Sequence, residues 1–377
     1  MTIEPIPQPA RLYSLQALRG VAALLVVIFH AAAIWREISG TTGFPGFWDR
    51  GWVGVDLFFV ISGFVMVWVA GDRAPGLRSA GRFLFDRATR IYPLWWIFCS
   101  LMALYFLISY GQPAAPDRES ADGAWSVFVA SMALWPQGEM PLLPVGWTLT
   151  FELAFYALFA VLLLIPPYFR GWVIGAWGVF LILIGLNQPF QDFSPNSWIG
   201  ILVHPLCLEF VFGALIAYLV KSVSISDVLG RWFVAAGLVL SAGLLVSGFG
   251  YGGEGLVKMR VPVAGTIAAV MLLGLVIWER SGGLSVPRFL QVLGDASYTL
   301  YLSHFLVLLT LKRLLVPTGL FNDASLSSLY GFMALSTLAS IVAALLLYRM
   351  VEKPLLILSR APLAKRRRNE ILTKSRL

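Results

Sequence analysis

Charged residues are scarce in this sequence. Asp, Glu, Lys and Arg make up only 13% of its 377 residues, against about 25% in an average soluble domain. Hydrophobic residues make up 58%, and the mean hydropathy is +0.79. This composition excludes a soluble globular protein and predicts an integral membrane protein whose chain crosses the bilayer many times.

Cysteine and histidine are also rare, which limits the chemistry that the chain can support. Cys99 and Cys207 lie in separate apolar runs without a CxxC motif, so we expect two buried thiols rather than a redox pair. The three histidines, His30, His204 and His304, form no HxxxH pair. No zinc site is therefore expected.

Ten apolar segments are long enough to cross a bilayer, which takes about 20 residues in a helix. They cover residues 15–35, 52–70, 91–109, 147–166, 171–187, 199–220, 232–250, 261–279, 293–311 and 325–348. A further apolar segment, Trp125–Trp135, is too short and is closely followed by prolines, so we expect it to be re-entrant or interfacial. The predicted fold is an all-α, polytopic membrane helix bundle of about ten transmembrane helices plus this segment.

The distribution of Lys and Arg predicts the orientation, because basic residues concentrate in cytoplasmic loops. With a cytoplasmic N-terminus, 20 of the 28 Lys and Arg residues lie on the cytoplasmic side, seven lie outside and Arg19 lies within the first span. We therefore expect both termini in the cytoplasm, with a short N-terminus over residues 1–14, a transmembrane domain over 15–353 and a basic tail over 354–377. This topology, with contact between the tail and anionic lipids, explains the net charge of +8 better than nucleic-acid binding does.

The first span carries two groups that are costly in a membrane, Arg19 and His30. They are eleven residues apart, so on a helix they share one face about 16 Å apart, with Ala23 and Val26 between them. We interpret this stripe as one wall of a narrow tunnel, with a charge at one mouth and a titratable group deep inside. The alternatives are that Arg19 only extends to the headgroups and that His30 only joins two helices through a hydrogen bond.

Two carboxylates are expected at the depth of His30. Asp56 lies about four residues into the second span and Glu152 about five residues into the fourth, and both spans enter from the side at which the first span ends. A carboxylate beside an imidazole orients the ring and stabilises its protonated form, which makes the histidine a usable base. His30 with Asp56 or Glu152 is therefore predicted to form a catalytic centre. Bracing of helix packing is the alternative role of both carboxylates.

Other polar groups line up within two spans. They share one face in the fourth span and one in the ninth, at Thr148, Glu152 and Tyr156 and at Ser297, Tyr301 and His304. For His204, which precedes a proline near an interface, we expect a structural role. For Glu209 and His304, the structural and the functional interpretation both stay open.

Six stretches form an ordered set of motifs along almost the whole chain. They are LQALRGVAALLVVIFHA (15–31), GVDLFFVISGF (54–64), FDRATRIYPLWW (85–96), WTLTFELAFY (147–156), LGDASYTLYLSH (293–304) and YRMVEKP (348–354). This set resembles the integral-membrane acyltransferase family, also called acyltransferase family 3. One such stretch is a weak signal, whereas six in family order are highly specific.

The resemblance implies transfer of an acetyl or similar acyl group from a cytoplasmic donor, expected to be acetyl-CoA, to a hydroxyl of an exported or cell-surface glycan or its lipid-linked precursor. It also implies the inner membrane of a bacterium. Because no hydrolase-like domain follows the last span, we expect the stand-alone type that resembles exopolysaccharide and O-antigen O-acetyltransferases. The family's functional positions fall on Arg19, His30, Asp56, Glu152, Arg87 and Arg90.

A mechanism follows from the motifs and the resemblance together. Arg82, Arg87 and Arg90 are expected to bind the phosphates of CoA, with Arg19 just inside the membrane. His30 then either deprotonates the acceptor hydroxyl or takes the acyl group itself, and both routes stay open. The alternative function is a proton-coupled transporter or exporter of a small molecule or glycan precursor, because buried ionisable residues also serve proton relays. The inverted repeats and paired broken helices typical of transporters are not evident in the sequence.

Overall fold

The computed structural model describes residues 11–41, 47–109, 121–138, 140–187, 195–223, 225–247 and 260–359. Over these residues the chain is helical and contains no strand. The helices, numbered α1 to α13 in chain order, are Tyr13–Ser39, Val53–Ala70, Leu77–Ser109, Ala121–Ala133, Trp147–Leu162, Pro167–Asn187, Trp198–Leu202, Cys207–Ser222, Asp227–Val246, Thr266–Arg280, Arg288–Asp295, Ser297–Leu315 and Leu326–Leu347. Short 3-10 turns lie at Trp48–Trp52, Pro144–Gly146 and Val316–Thr318, and π-helical turns lie at Val261–Gly265 and Tyr348–Glu352.

The predicted polytopic helix bundle is confirmed. In the described part of the chain, nine helical segments are long and apolar enough to cross a membrane. The predicted span over 199–220 is not continuous, because the chain there forms the short helices α7 and α8 with a break between them. Pro205 lies in this break; it lacks a backbone N–H and disfavours helical conformation in the residue before it, so the helix stops there.

Helix α3 begins well before its apolar run. It is 33 residues long, or about 50 Å, whereas the span predicted from hydropathy began only at residue 91. In the added turns Ala80 and Phe83 are buried, whereas Arg78 and Arg82 are exposed. Most of the polar stretch 71–90 is therefore helical rather than a loop, which fixes Arg87 and Arg90 on a rigid element.

Helix α4 contains the segment that was predicted to be re-entrant or interfacial. It has 13 residues and is too short to cross a bilayer. The Tyr92 hydroxyl and the indole N–H groups of Trp95 and Trp96 donate to the carbonyls of residues 131–133 at 2.9–3.1 Å. These bonds satisfy carbonyls that the end of a helix leaves without partners. The aromatic residues of the FDRATRIYPLWW stretch thus hold α4 against α3.

Helix α2 packs against α1, α5, α8 and α10. Its closest approach is to α8, where two glycines let the backbones meet. A Cβ atom at Gly213 would lie 1.8 Å from the Val60 oxygen, and one at Gly63 would lie 2.0 Å from the Phe210 oxygen. Small residues at such crossings are typical of membrane helix pairs. This packing fixes the position of the polar side chains that α2 contributes.

Candidate functional site

Arg19 and His30 lie on one uninterrupted helix, α1, about 16 Å apart along its axis. The side chains between them do not line a tunnel. Ala23 and Val26 expose only 0% and 2% of their surface, because α2 packs closely against this stripe at Gly54. The predicted tunnel wall along α1 is therefore wrong.

A cavity lies instead between α1, α2, α3, α5 and α12. Its basic lining consists of Arg19 from α1 and Arg87 and Arg90 from α3. The other polar lining residues are Ser62, Thr148, Glu152, Tyr156, Tyr298 and Tyr301. Most of the apolar lining comes from α2, at Val55, Phe58, Phe59, Ile61, Val65 and Met66. The cavity thus combines a strongly basic part with a long apolar wall.

The three cavity arginines differ from the other arginines that the bundle shields from solvent. Among the described arginines that are not exposed, six make hydrogen bonds or ion pairs, namely Arg36, Arg50, Arg73, Arg170, Arg260 and Arg313. Within the same residues, Arg19, Arg87 and Arg90 make neither. The Arg87 guanidinium only contacts the rings of Phe83 and Tyr156, at 5.6 and 5.9 Å from their centroids. Such an arrangement suits a negatively charged ligand.

Arg82 does not belong with this group. It lies on α3 as predicted, but it is exposed and does not line the cavity. Arg87 and Arg90 are three residues apart and therefore about 60° apart around the helix, whereas Arg82 is about 140° from Arg87 and about 80° from Arg90. Contact of Arg82 with the same ligand therefore stays a prediction, with Arg82 outside the lining of this cavity.

Glu152 lies with the arginines rather than with His30. It accepts hydrogen bonds from the Tyr156 hydroxyl and, at 3.1 Å, from the Ser62 hydroxyl. It is also close enough to Arg19 for their charges to interact. The prediction that Glu152 surrounds the histidine is wrong.

The register between α5 and α12 explains this difference in depth. The hydroxyls of Thr148 and Tyr301 are 2.8 Å apart and join the two antiparallel helices. Glu152 lies one turn from Thr148 in one direction, and His304 lies three residues from Tyr301 in the other. At a rise of 1.5 Å per residue, the carboxylate and the α12 histidine are about 10 Å apart along the bundle.

His30 hydrogen-bonds to a second histidine instead of a carboxylate. Its Nδ1 lies 3.2 Å from Nε2 of His304 and 3.0 Å from the Val26 carbonyl oxygen. The rings of Phe29 and Phe305 meet the His30 ring edge-on. Its Nε2 makes no hydrogen bond within the described residues. The predicted histidine–carboxylate pair is therefore replaced by a histidine–histidine pair between α1 and α12.

Asp56 forms a buried ion pair with Arg260. The Arg260 Nε and Nη2 atoms donate to the two carboxylate oxygens at 2.9 and 3.1 Å, and both side chains are buried. The guanidinium also lies 4.9 Å from the centroid of the Trp52 ring. Glu209 is close enough for its charge to interact with this pair, but its oxygens make no standard hydrogen bond within the described chain. Asp56 is thus engaged away from the histidine of α1.

Arg260, the partner of Asp56, and His304, the partner of His30, were not identified as site residues from the sequence. Arg260 is one of the seven basic residues predicted to lie outside the membrane, and the sequence leaves the role of His304 open. The one available signal was that Tyr301 and His304 share a face of the same span. Cys99 and Cys207 are buried and are not joined in a disulfide, as predicted. Within the described residues, no three His, Cys, Asp or Glu side chains group as metal ligands.

The fold and the site define a polytopic membrane protein with an arginine-lined cavity next to a pair of histidines. Residues 12–349 match the family described as an acyltransferase domain, and the chain belongs to this family, acyltransferase family 3. The exopolysaccharide production protein ExoZ of Rhizobium meliloti (strain 1021) is 30% identical over 319 residues, which cover 82% of this chain and 91% of ExoZ. The acyltransferase MdmB of Streptomyces mycarofaciens is 29% identical over 381 residues, which cover 92% of each chain. No solved structure matches this chain.

Proposed function

We propose that this membrane acyltransferase moves an acetyl group from acetyl-CoA to a hydroxyl of an exported or cell-surface glycan. The observation that carries the proposal is the cavity whose three arginines make no hydrogen bond or ion pair with any of the described residues. CoA is a polyanion with a long, thin, uncharged arm that ends in the thioester. The arginines suit its phosphates, because guanidinium groups bind phosphate oxygens bidentately, and the apolar wall formed by α2 suits its arm.

The cavity also leads towards the histidines. Tyr301 is one of its lining residues, and the centroid of the Tyr301 ring is 6.0 Å from that of His304. The His304 and His30 centroids are 5.1 Å apart. The separation of about 16 Å between Arg19 and His30 along α1 suits an extended thioester arm. A donor held by the arginines would therefore bring its acyl carbon close to His30.

His30 supplies the base in this mechanism. A carbonyl oxygen only accepts hydrogen bonds, so the contact with Val26 assigns the proton of the neutral ring to Nδ1 and leaves Nε2 unprotonated. In direct transfer, Nε2 takes the proton of the acceptor hydroxyl while its oxygen attacks the thioester carbonyl. The C–S bond then breaks and the proton passes to the departing thiolate. In the covalent route, Nε2 attacks the carbonyl and the C–S bond breaks, which releases the CoA thiolate and leaves the acyl group on the imidazole. The acceptor hydroxyl then displaces the acyl group from Nε2, and its proton passes to the thiolate.

The two predicted catalytic carboxylates receive positioning roles in this proposal. Glu152, hydrogen-bonded to Tyr156 and Ser62, holds the arginine end of the cavity in place. Asp56 holds α2 to the segment before α10 through Arg260. Neither is proposed to contact the reacting atoms.

The acceptor and the location are inferred from the family and from the distribution of charge. The name of ExoZ refers to exopolysaccharide production, which favours a glycan acceptor or its lipid-linked precursor. We assign the enzyme to the bacterial inner membrane, with the arginine end of the cavity and both termini facing the cytoplasm. The basic run Lys365–Arg368, which lies outside the described residues, is proposed to contact anionic lipids.

Labelled acetyl-CoA tests this function. Inside-out membrane vesicles that contain the protein and the host's surface glycan are supplied with acetyl-labelled donor, and label in the glycan is measured. We expect transfer with the wild type and a loss of at least about 100-fold with His30→Ala, because a positioned base contributes roughly that much. His204→Ala, at equal abundance, is the matched control and should retain transfer, because the His204 ring packs against Phe151, accepts the Leu206 N–H and takes no part in the His30–His304 contact.

Two results would contradict the proposal. Undiminished transfer by His30→Ala would remove the histidine from the reaction. Uptake of the donor or of a glycan precursor without any transfer of label would favour the transporter instead.

A further inference from the structure

We propose that His304 is a positioning residue that holds His30 in the tautomer needed for acyl transfer, in the place that a carboxylate takes in other catalytic histidine sites. The inference rests on the proposed function only for its effect on catalysis. The hydrogen-bonded arrangement itself follows from the geometry of the two rings.

The helix carbonyls assign the protons in both rings. Nδ1 of His304 lies 3.1 Å from the Leu300 carbonyl oxygen, and Nδ1 of His30 lies 3.0 Å from that of Val26. Since a carbonyl oxygen cannot donate, each neutral ring carries its proton on Nδ1. Nε2 of His304 is then an acceptor, and it faces the Nδ1–H group of His30 at 3.2 Å. For a neutral His30 ring, this chain of contacts leaves Nε2 unprotonated.

The lone pair of His304 matters because the Val26 carbonyl is already occupied. In α1 the Val26 oxygen accepts the backbone N–H of His30, as in any α-helix. The imidazole Nδ1–H group of His30 therefore shares this acceptor with the backbone N–H. The Nε2 atom of His304 is the acceptor without another hydrogen bond among the described residues. When His30 takes up a proton, or an acyl group, its Nδ1–H becomes a stronger donor and this bond becomes more important.

Burial distinguishes the roles of the two histidines. His304 has no exposed surface, whereas His30 is partly exposed. The His304 ring is enclosed by the rings of Tyr301, Phe305 and His30. His304 therefore acts through His30 and not on the substrate, in the way that a hydrogen-bond partner fixes the ring orientation of a metal-binding histidine.

The third histidine provides an internal control. Nδ1 of His204 accepts the backbone N–H of Leu206 at 3.2 Å, which requires the opposite tautomer, with the proton on Nε2. The chain has only three histidines. Nitrogen-15 NMR of purified protein labelled at histidine can therefore resolve all of them, and each is assigned by the signal lost in one variant.

The NMR experiment tests the arrangement without depending on activity. We expect His30 and His304 with the proton on Nδ1 and His204 with the proton on Nε2. In His304→Leu we expect the His30 signals to shift towards a mixture of both tautomers. A His30 ring that carries its proton on Nε2 in the wild type, or that is unchanged in His304→Leu, would overturn the proposal.

Two variants at His304 then separate positioning from mere packing. His304→Leu removes the acceptor and should lower kcat about 100-fold with a donor KM within about twofold of wild type, because the base is misoriented while the donor site is intact. His304→Gln retains an acceptor oxygen and should recover at least about tenfold of that loss. Equal losses in both variants at equal thermal stability would contradict the positioning role. If the wild type shows no transfer at all, the proposed function fails, whereas the tautomer assignment stands or falls on the spectra.

Discussion

The arginines that this bundle shields from solvent form two groups that differ in what compensates their charge. Arg260 donates to both oxygens of Asp56, and Arg170 donates to the carbonyls of residues 71, 73, 162, 163 and 165. Arg19, Arg87 and Arg90 line one cavity and have no hydrogen bond or ion pair within the described residues. Arg19 and Arg90 are also close enough to repel each other.

This difference separates structural charges from charges that await a ligand. Taking an ion out of water costs several kcal/mol unless partners replace the water. The protein itself supplies those partners to Arg260 and Arg170. We propose that the phosphates of the donor supply them to the cavity group, whose charges then serve donor binding rather than the stability of the free protein. Such a conflict between stability and function is common at active sites.

The largest expected effect is a loss of protein stability when the ion pair of Asp56 and Arg260 is broken. Asp56→Ala removes both hydrogen bonds of the buried Arg260 guanidinium to its paired carboxylate, although the charge of Glu209 stays nearby, and should destabilise the protein by about 3–5 kcal/mol. The measurement is thermal unfolding in detergent with a thiol-reactive dye, which reports exposure of the buried thiols of Cys99 and Cys207. The double variant Asp56→Leu/Arg260→Met removes both charges and should recover most of the loss. If Asp56→Ala unfolds like the wild type, Arg260 does not belong to the structural group.

Replacement of an arginine in the cavity group is expected to weaken donor binding rather than stability, and this effect is of intermediate size. Arg19→Gln should raise the KM for acetyl-CoA by about 10- to 100-fold, which corresponds to the roughly 1.5–3 kcal/mol of a charged hydrogen bond. Its thermal stability should be equal to or above that of the wild type, because relief of the burial of the charge and of the repulsion with Arg90 offsets the lost attraction to Glu152 and Glu352. Arg36→Gln is a matched control, since Arg36 is half-buried but paired with Asp49. A marked loss of stability in Arg19→Gln, with an unchanged KM, would place this arginine in the structural group.

The smallest effect is expected just outside the cavity. Arg82 is on the same helix as Arg87 and Arg90, but it is exposed and points to a different side. Arg82→Ala should leave the donor KM within about twofold and the stability within about 0.5 kcal/mol of wild type. A rise in KM as large as that in Arg87→Ala would show that the basic face of α3 acts as a whole, as the sequence alone had suggested.

The fold was largely predictable because hydropathy is a local property. Each of the ten predicted spans overlaps helical structure in the described residues; the one over 199–220 is broken at Pro205, and the one over 293–311 crosses the junction between α11 and α12 at Ala296. The length of α3 was not predictable in this way, because hydropathy marks only the part of a helix that lies in the bilayer. Its first turns follow an amphipathic pattern that continues outside the apolar run.

The sequence predicted most of the residues that line the cavity, but not which side chains pair with each other. Arg19, Glu152, Arg87 and Arg90 do line one cavity, whereas the expected carboxylate beside His30 is absent from the described structure around it. Depth was inferred by counting residues from the ends of apolar runs. That count ignores how far each helix extends past its run and which way it is rotated. Both depend on tertiary packing, which a single sequence does not reveal.

Binding of CoA to the purified protein tests the central claim most directly. The dissociation constant is measured by calorimetry in detergent for the wild type, for Arg19→Gln, Arg87→Gln and Arg90→Gln, and for Arg82→Ala and Arg36→Gln as controls. We expect the three cavity variants to bind CoA at least about tenfold more weakly, each having lost a charge-assisted contact to phosphate, and both controls to bind like the wild type. Equal affinity in all six proteins, or no binding by the wild type, would contradict the assignment of this cavity to the donor.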